Sequence, residues 1–213
     1  MEGFSNRDGK PIVDRMITAI QENKVYLSDL DGQIGDGDHG MNMNKGFTLC
    51  KERLDTGTHT LGESLFELGS VLFNEIGGSM GPIYGTVFME MGDRLDGVEV
   101  VTAEVFADML DAALNGLWEI VEAQVGDKTL IDVLAPARDA FRTAVDGGKG
   151  FSEALKDLKA AAEQGMLSTR DLVAKFGRSS RLGERSRGVL DAGSVSCNLL
   201  LQAMADGIAA LLT

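Results

Sequence analysis

The sequence predicts an all-α protein, a bundle of about eight helices joined by short connections. Three observations carry that prediction. Apolar residues recur at helical spacing along almost the whole chain. No convincing strand interrupts them; Val98-Glu99-Val100-Val101 is the one short candidate, and an adjoining turn accounts for it equally well. Glycine gathers at 32–40, 77–85 and 177–193, between the helical stretches, and only three prolines occur, which suits long helices.

The helical stripes follow in order. Ile12, Val13, Met16, Ile17 and Ile20 mark the first, and Leu61, Leu65, Leu68, Leu72 and Ile76 mark another. A third runs through Phe106, Met109, Leu110, Ala113, Leu114, Leu117 and Val121. Residues 151–176 carry a fourth, with Leu155, Leu158, Ala162, Met166, Val173 and Phe176. The last, through Leu199, Met204, Ile208 and Leu212, is apolar nearly all round and predicts a buried helix. In an up-and-down bundle the turns at one end lie together, so distant glycine-rich loops are expected to build one site.

Length and composition bound the possibilities. The 213 residues show no linker, low-complexity segment or long repeat, so a single domain spanning 1–213 is expected. A net charge of −13 argues against nonspecific binding to nucleic acid or to an anionic membrane. It leaves room for a small anion held through a metal or a local basic patch. Two distant cysteines, Cys50 and Cys197, read as buried thiols of a reduced protein. The N-terminus lacks the apolar core of a signal peptide, and no run reaches the roughly 18 apolar residues of a membrane span. A cytoplasmic location is the expectation.

The stretch "DGQIGDGDHG" crowds Asp31, Asp36 and Asp38 into what reads as one flexible loop, where like charges repel. Something positive is expected among them. A dinucleotide fingerprint at Gly35-x-Gly37-x-x-Gly40 fails, because no strand precedes it and the aspartates would repel phosphate. A P-loop fails because Met41-Asn42 follow where Lys-Ser/Thr belongs, and the EF-hand positions counted from Asp36 carry Gly40, Met41 and Phe47. An oxygen-only site survives, suited to Mg²⁺ or Mn²⁺. Gly40 to Asn42 should open a helix whose amide-rich N-terminus attracts anions, with His39 and Asn42 turned toward whatever the metal holds. A solvated Asp-Gly turn with Asp38 as N-cap is the plainer alternative.

Two further loops admit a structural and a functional explanation. "GGSMGPIYG" is an interhelix turn, or a place where bare backbone meets a base or phosphate. "GRSSRLGERSRG" sets Arg178, Arg181, Arg185 and Arg187 in an acidic chain, as a solvated basic loop or as a phosphate-covering lid. In "GDKTLIDVL", Thr129 and Asp132 fit a capping box, and Leu130 beside them could wall a base.

Taken together, "LDGQIGDGDHGMNMNKGF", "GGSMGPIYGTVF", "GDKTLIDVL" and "GRSSRLGERSRG…DAGS" resemble, in this order and over essentially the whole chain, the DhaL family. These are the nucleotide-binding L subunits of dihydroxyacetone kinases. The resemblance implies an eight-helix up-and-down barrel with ADP or ATP across one end. It implies that Asp31, Asp36 and Asp38 hold two Mg²⁺ ions on the phosphates. His39, Gly40, Met41 and Asn42 would lie against those phosphates, joined by Ser79 and Met80; Leu130 would flank the base. Arg178 with Asp191, Ala192 and Gly193 would close over the nucleotide. No residue is assigned as nucleophile or general base.

The resemblance further implies a separate DhaK-type subunit that holds the sugar. With no K domain in the chain, it favours the phosphotransferase-system-linked type, in which a DhaM-type phosphocarrier recharges retained ADP. Three rivals remain: the L subunit of a split ATP-dependent kinase for another short ketose, an ADP-state regulator of a transcription factor, and the N-terminal domain of the related fatty-acid kinases, which usually carries a Thr where His39 stands. At Met80, Arg181 and Ala192 the chain departs from residues frequent in the family.

Overall fold

The apolar stripes close eight α-helices into a ring. A computed structural model describes residues 2–212. The helices are α1 (Lys10–Ile34), α2 (His39–Leu54), α3 (Leu61–Glu75), α4 (Met80–Asp93), α5 (Ala103–Ile120), α6 (Ile131–Asp146), α7 (Phe151–Ser168) and α8 (Ala192–Ala209). Each packs against the next, and α8 returns to α1, so the bundle is a closed barrel. Among the described residues no helix is long and apolar enough to cross a membrane.

Local signals start the helices where the pattern asks for them. Thr60 opens α3 with a reciprocal cap: its hydroxyl accepts from the Glu63 amide at 3.1 Å, and the Glu63 carboxylate accepts from the Thr60 amide at 2.8 Å. Leu61, Leu65, Leu68 and Leu72 then face the core at 1% exposure or less. Phe106, Phe141 and Phe151 join α5, α6 and α7 through ring contacts of 5.1–5.9 Å. Helix α8 is buried on most of its surface, as its all-round apolar sequence predicts. Both cysteines are free and buried.

Helices α3 and α4 meet at backbone distance. A Cβ on Gly69 would stand 2.6 Å from the Met89 amide and 2.7 Å from the Gly85 carbonyl oxygen; one on Gly85 would stand 2.8 Å from the Phe73 Cβ. Only hydrogen side chains allow that approach. Gly62 and Gly92 extend the same seam seven residues away in each helix.

Two expectations are corrected. The 98–101 segment is partly strand: β2 (Val100–Thr102) pairs antiparallel with β1 (Gly3–Ser5), Phe4 opposite Val101. Both of those side chains are buried, and Asn6 beside them donates to the Val98 carbonyl at 2.8 Å. The pairing partner lies at the far N-terminus, so no local alternation announced it. The stripe over 151–176 is not one helix. Helix α7 ends at Ser168, and Thr169–Asp171 form a short 3-10 turn. The Thr169 carbonyl is taken by the Lys128 ammonium at 2.6 Å, which leads the chain away from the helix axis before Val173 and Phe176.

Overpacking the glycine seam is expected to destabilise the barrel. Gly69→Ala should lose about 1–3 kcal/mol in urea unfolding. Gly77→Ala, where a Cβ meets nothing within 4 Å, should change stability by less than about 0.5 kcal/mol.

Candidate functional site

Each odd-numbered helix delivers the chain to the same rim, so the α1–α2, α3–α4, α5–α6 and α7–α8 connections gather there. Contacts between them make this concrete. Arg178 Nε lies 2.8 Å from Asp36 Oδ2, linking the last connection to the first. Tyr84 of α4 donates its phenolic proton to the Gly193 carbonyl at 3.0 Å. His39 Nε2 and Ser196 Oγ are hydrogen-bonded at 2.9 Å, and Ser196 Oγ lies 2.7 Å from the Tyr84 hydroxyl.

The three aspartates converge: one carboxylate oxygen from each lies within 4.8 Å of the others. Their setting differs from a flexible loop in one respect. Asp31 stands in the last turn of α1, not in the turn itself. A carboxylate there faces the negative end of the helix dipole, and α1 has no basic residue in that turn to offset it. Asp31 Oδ2 is steadied by the Gly37 amide at 2.8 Å. Asp38 occupies the N-cap position of α2 but makes no side-chain capping bond. The plain N-cap explanation of Asp38 is therefore set aside; its carboxylate makes no bond to the α2 amides.

Electrostatics point the same way. Burial raises the Asp31 carboxyl, opposed by the His39 and Gly37 amides, and the Asp36 charge raises it further. Asp38 is raised by burial and then by Asp36 and Asp31, with Arg178 only partly compensating. Negative charge is in excess here. A hard divalent cation fits an all-oxygen trio at a helix's negative end, and the exposed guanidinium of Arg178 pairs directly with Asp36 while offsetting Asp38 only in part.

The remaining candidates fall around this trio. Gly40 seats the first turn of α2 on α1, because any Cβ there would collide with the Lys24 carbonyl and Ser28. Met41 is exposed and Asn42 half-buried in the same turn. The His39 ring turns toward α8 rather than toward the aspartates, and burial pushes its pKa down to about 4, so it is neutral at physiological pH. Ser79 is exposed at the N-cap position of α4, whereas the Met80 side chain belongs to the core. Leu130 is buried at the start of α6. The capping box beside it is displaced by one residue: Asp132 accepts from the Thr129 amide at 2.8 Å, while the Thr129 hydroxyl accepts from Ile131 at 3.2 Å. Asp191 caps α8, its Oδ2 accepting from the Ser194 amide at 2.6 Å, with Ala192 buried and Gly193 following.

Tyr84, Ser196 and Lys128 also belong to the rim, and residue types alone did not single them out. Each bonds to a segment remote in sequence. The one local signal was "GDKT", which sets a lysine beside an aspartate directly before the apolar start of α6.

A closed barrel of antiparallel helices with three converging carboxylates at one rim is the class that this fold and site define. The DAK2 domain family model matches residues 33–206, and the chain belongs to that family, in its DhaL branch. It is 38% identical over 186 residues to the ADP-binding subunit DhaL of the PEP-dependent dihydroxyacetone kinase 1 of Listeria innocua, covering 87% of this chain and 88% of that one. The corresponding subunit of Escherichia coli is 34% identical, with 84% and 86% covered. The ADP-binding subunit DhaL of the PTS-dependent kinase of Lactococcus lactis is 32% identical, with 89% and 91% covered.

Among solved structures, the dihydroxyacetone kinase of C. freundii matches with a TM-score of 0.70 at 22% identity. That match covers 95% of this chain and 35% of the kinase, so this chain spans about a third of it. The same kinase in complex with AMP-PNP and Mg²⁺ gives a TM-score of 0.68 at 21% identity, covering 97% and 35%. At these identities the likeness is one of fold.

Asp191 yields a pH test. Burial is the main cause that lifts its carboxyl to about 7, so the folded chain keeps a proton that the unfolded chain releases near its ordinary value of 3.8. Through this group, stability falls as pH rises from about 4 to about 7. Asp191→Asn keeps the cap and removes the titration. Its urea midpoint relative to the parent should improve from pH 5 to pH 8; a constant difference would contradict the buried-acid assignment.

Proposed function

We propose that this chain is the ADP-binding subunit of a phosphoenolpyruvate-dependent dihydroxyacetone kinase. In this role its Mg-bound ADP accepts phosphate from a DhaM-type phosphocarrier and passes it to dihydroxyacetone held on a DhaK-type subunit. The observation that carries the proposal is the convergent aspartate trio, with Asp31 at the negative end of α1 and the Asp38 carboxylate free of any capping bond. The DhaL relatives' names, which specify ADP binding and PEP or PTS dependence, supply the substrate class.

Asp31, Asp36 and Asp38 would hold two Mg²⁺ ions. Bound there, the ions supply charge neutralisation for the phosphates and for the phosphoryl group in transit. The chain's own residues do the positioning. The first-turn amides of α2 at Gly40 and Met41 have no intrahelical acceptor and offer donors to phosphate oxygens, while the Asn42 amide is taken by the Asp38 carbonyl at 2.9 Å and leaves its side chain for that contact. His39, neutral and hydrogen-bonded to Ser196, keeps a fixed ring orientation beside them. Ser79 and the backbone at Met80 offer the same kind of contact from α4. Leu130 gives an apolar surface for the base. Arg178 with Asp191, Ala192 and Gly193 closes the fourth side and limits water at the phosphates. No side chain is asked to act as nucleophile or general base.

The open side of the rim faces the partners. Met41, Val125 and Phe176, all on rim elements, are exposed apolar residues suited to a protein contact. A cytoplasmic setting agrees with two free, buried thiols.

The first test is chemical. The protein is gel-filtered free of loose nucleotide, denatured and chromatographed. About one ADP per chain, lost on chelation, is the expected result and marks a retained coenzyme. An empty protein that binds Mg-ATP would indicate an exchanging kinase, and ADP-dependent capture of a regulator without transfer would indicate a signalling subunit. Asp36→Ala and Asp38→Ala should each abolish nucleotide retention with far-UV circular dichroism close to the parent; ADP retained by either would remove the two-ion site. Arg178→Ala should raise the nucleotide off-rate about tenfold, the effect of one lost charge-assisted contact, with little change in thermal midpoint.

A further inference from the structure

Between α7 and α8 the chain makes a long excursion, residues 169–191, that carries Arg178 over the aspartate trio. Little secondary structure holds it: the 3-10 turn Thr169–Asp171 and a 3-10 segment, Arg178–Ser186, kinked at Gly183. Its two feet, Thr169–Leu172 and Val189, come together at a single side chain from the α5–α6 connection. The Lys128 ammonium donates to the Thr169 carbonyl at 2.6 Å, the Val189 carbonyl at 2.5 Å and the Leu172 carbonyl at 3.3 Å.

We infer that Lys128 is a positioning residue, a cationic staple that clamps both feet of this excursion and so sets how firmly it covers a ligand at the rim. The inference rests on the proposal that the excursion covers a nucleotide.

Several independent features agree. Lys128 is 1% exposed, and none of its three bonds goes to a carboxylate. Burying an ammonium is costly, and here three carbonyls use its three protons. Among the described residues Lys128 is the one non-glycine with positive φ, at 63°. The surrounding loop imposes that conformation. The Asp132 carboxylate accepts from the amides of Gly126 at 2.6 Å and Thr129 at 2.8 Å, bracketing Lys128 on both sides. The neighbouring Asp127 grips the same excursion twice: its carboxylate pairs with Lys175 at 2.5 Å, and its carbonyl accepts from the Lys175 amide at 3.2 Å. A strained backbone, a buried charge and a second clamp beside it serve one purpose, holding the excursion's ends to the α5–α6 loop. An apolar side chain at this position would leave three carbonyls without their donor.

The test uses the whole chain, first without nucleotide. Lys128→Met keeps the stem and removes the ammonium. Trypsin should then cut after Lys175, Arg178, Arg181 or Arg185 about tenfold faster than in the parent, as expected for losing a charged bond from a local opening equilibrium. Lys128→Ala leaves room for a small cation. Millimolar methylammonium should slow its cutting toward the parental rate, and tetramethylammonium at equal ionic strength should not.

Nucleotide release then separates the two ideas. Faster release in both Lys128→Met and Arg178→Ala supports both. Faster release in Arg178→Ala alone, with parental cutting in Lys128→Met, overturns the staple and leaves the cover standing. Faster cutting in Lys128→Met with unchanged release in both variants keeps the staple and removes the cover. If Lys128→Met fails to fold, Lys128→Ala decides: recovery with methylammonium supports the staple, and no response overturns it.

Discussion

Closure of the helical ring is the constraint on which the rest of this protein depends. When α8 packs back onto α1, the number and sense of the helices are fixed, and with them the rim on which every odd-to-even connection lands. The ring is held by a continuous apolar interior and by helix seams at backbone distance, as where Gly69 and Gly85 let α3 and α4 approach closely and where Gly40 seats α2 on α1. Loops separated by well over a hundred residues become neighbours only because the circle is complete. The hydrogen bond between His39 and Ser196 exists for that reason.

At the rim, electrostatics is deliberately unbalanced. Three carboxylates converge beside the negative end of α1, and two of them are raised by burial and by one another. Unassisted, such an arrangement opposes folding. It persists because the barrel over-determines the positions of α1 and α2, with Gly40 seated against α1. The single guanidinium that reaches the trio comes from the excursion before α8. The proposed cation and the excursion therefore share one carboxylate, Asp36.

The excursion itself has few regular hydrogen bonds and relies on charged side chains from elsewhere. Asp127, Lys128 and Asp132 of the α5–α6 region shape and grip its ends, while Asp191 and Thr169 join its feet to α8. Apart from Leu190, which reaches the core, its anchors are polar, whereas the barrel is held by apolar packing.

Helix periodicity made the ring's parts legible in the sequence, since each stripe records a face turned to the core. The aspartates stood out because three like charges in eight residues demand a counter-charge. The stripe over 151–176 misled, because Val173 and Phe176 keep the helical spacing while a lysine 41 residues before Thr169 ends the helix. The strand at Val100 was ambiguous because its partner is at the other end of the chain segment, at Gly3–Ser5. Asp31 read as loop because the glycines after it mask the last turn of α1. The sequence by itself determined the helical class, the family and the acidic centre, all of which are written in local spacing and charge. Only the tertiary structure decided that Tyr84, Ser196 and Lys128 serve the rim, and that Met80 faces inward. Those roles depend on contacts between residues far apart in the chain, which form only when the ring closes.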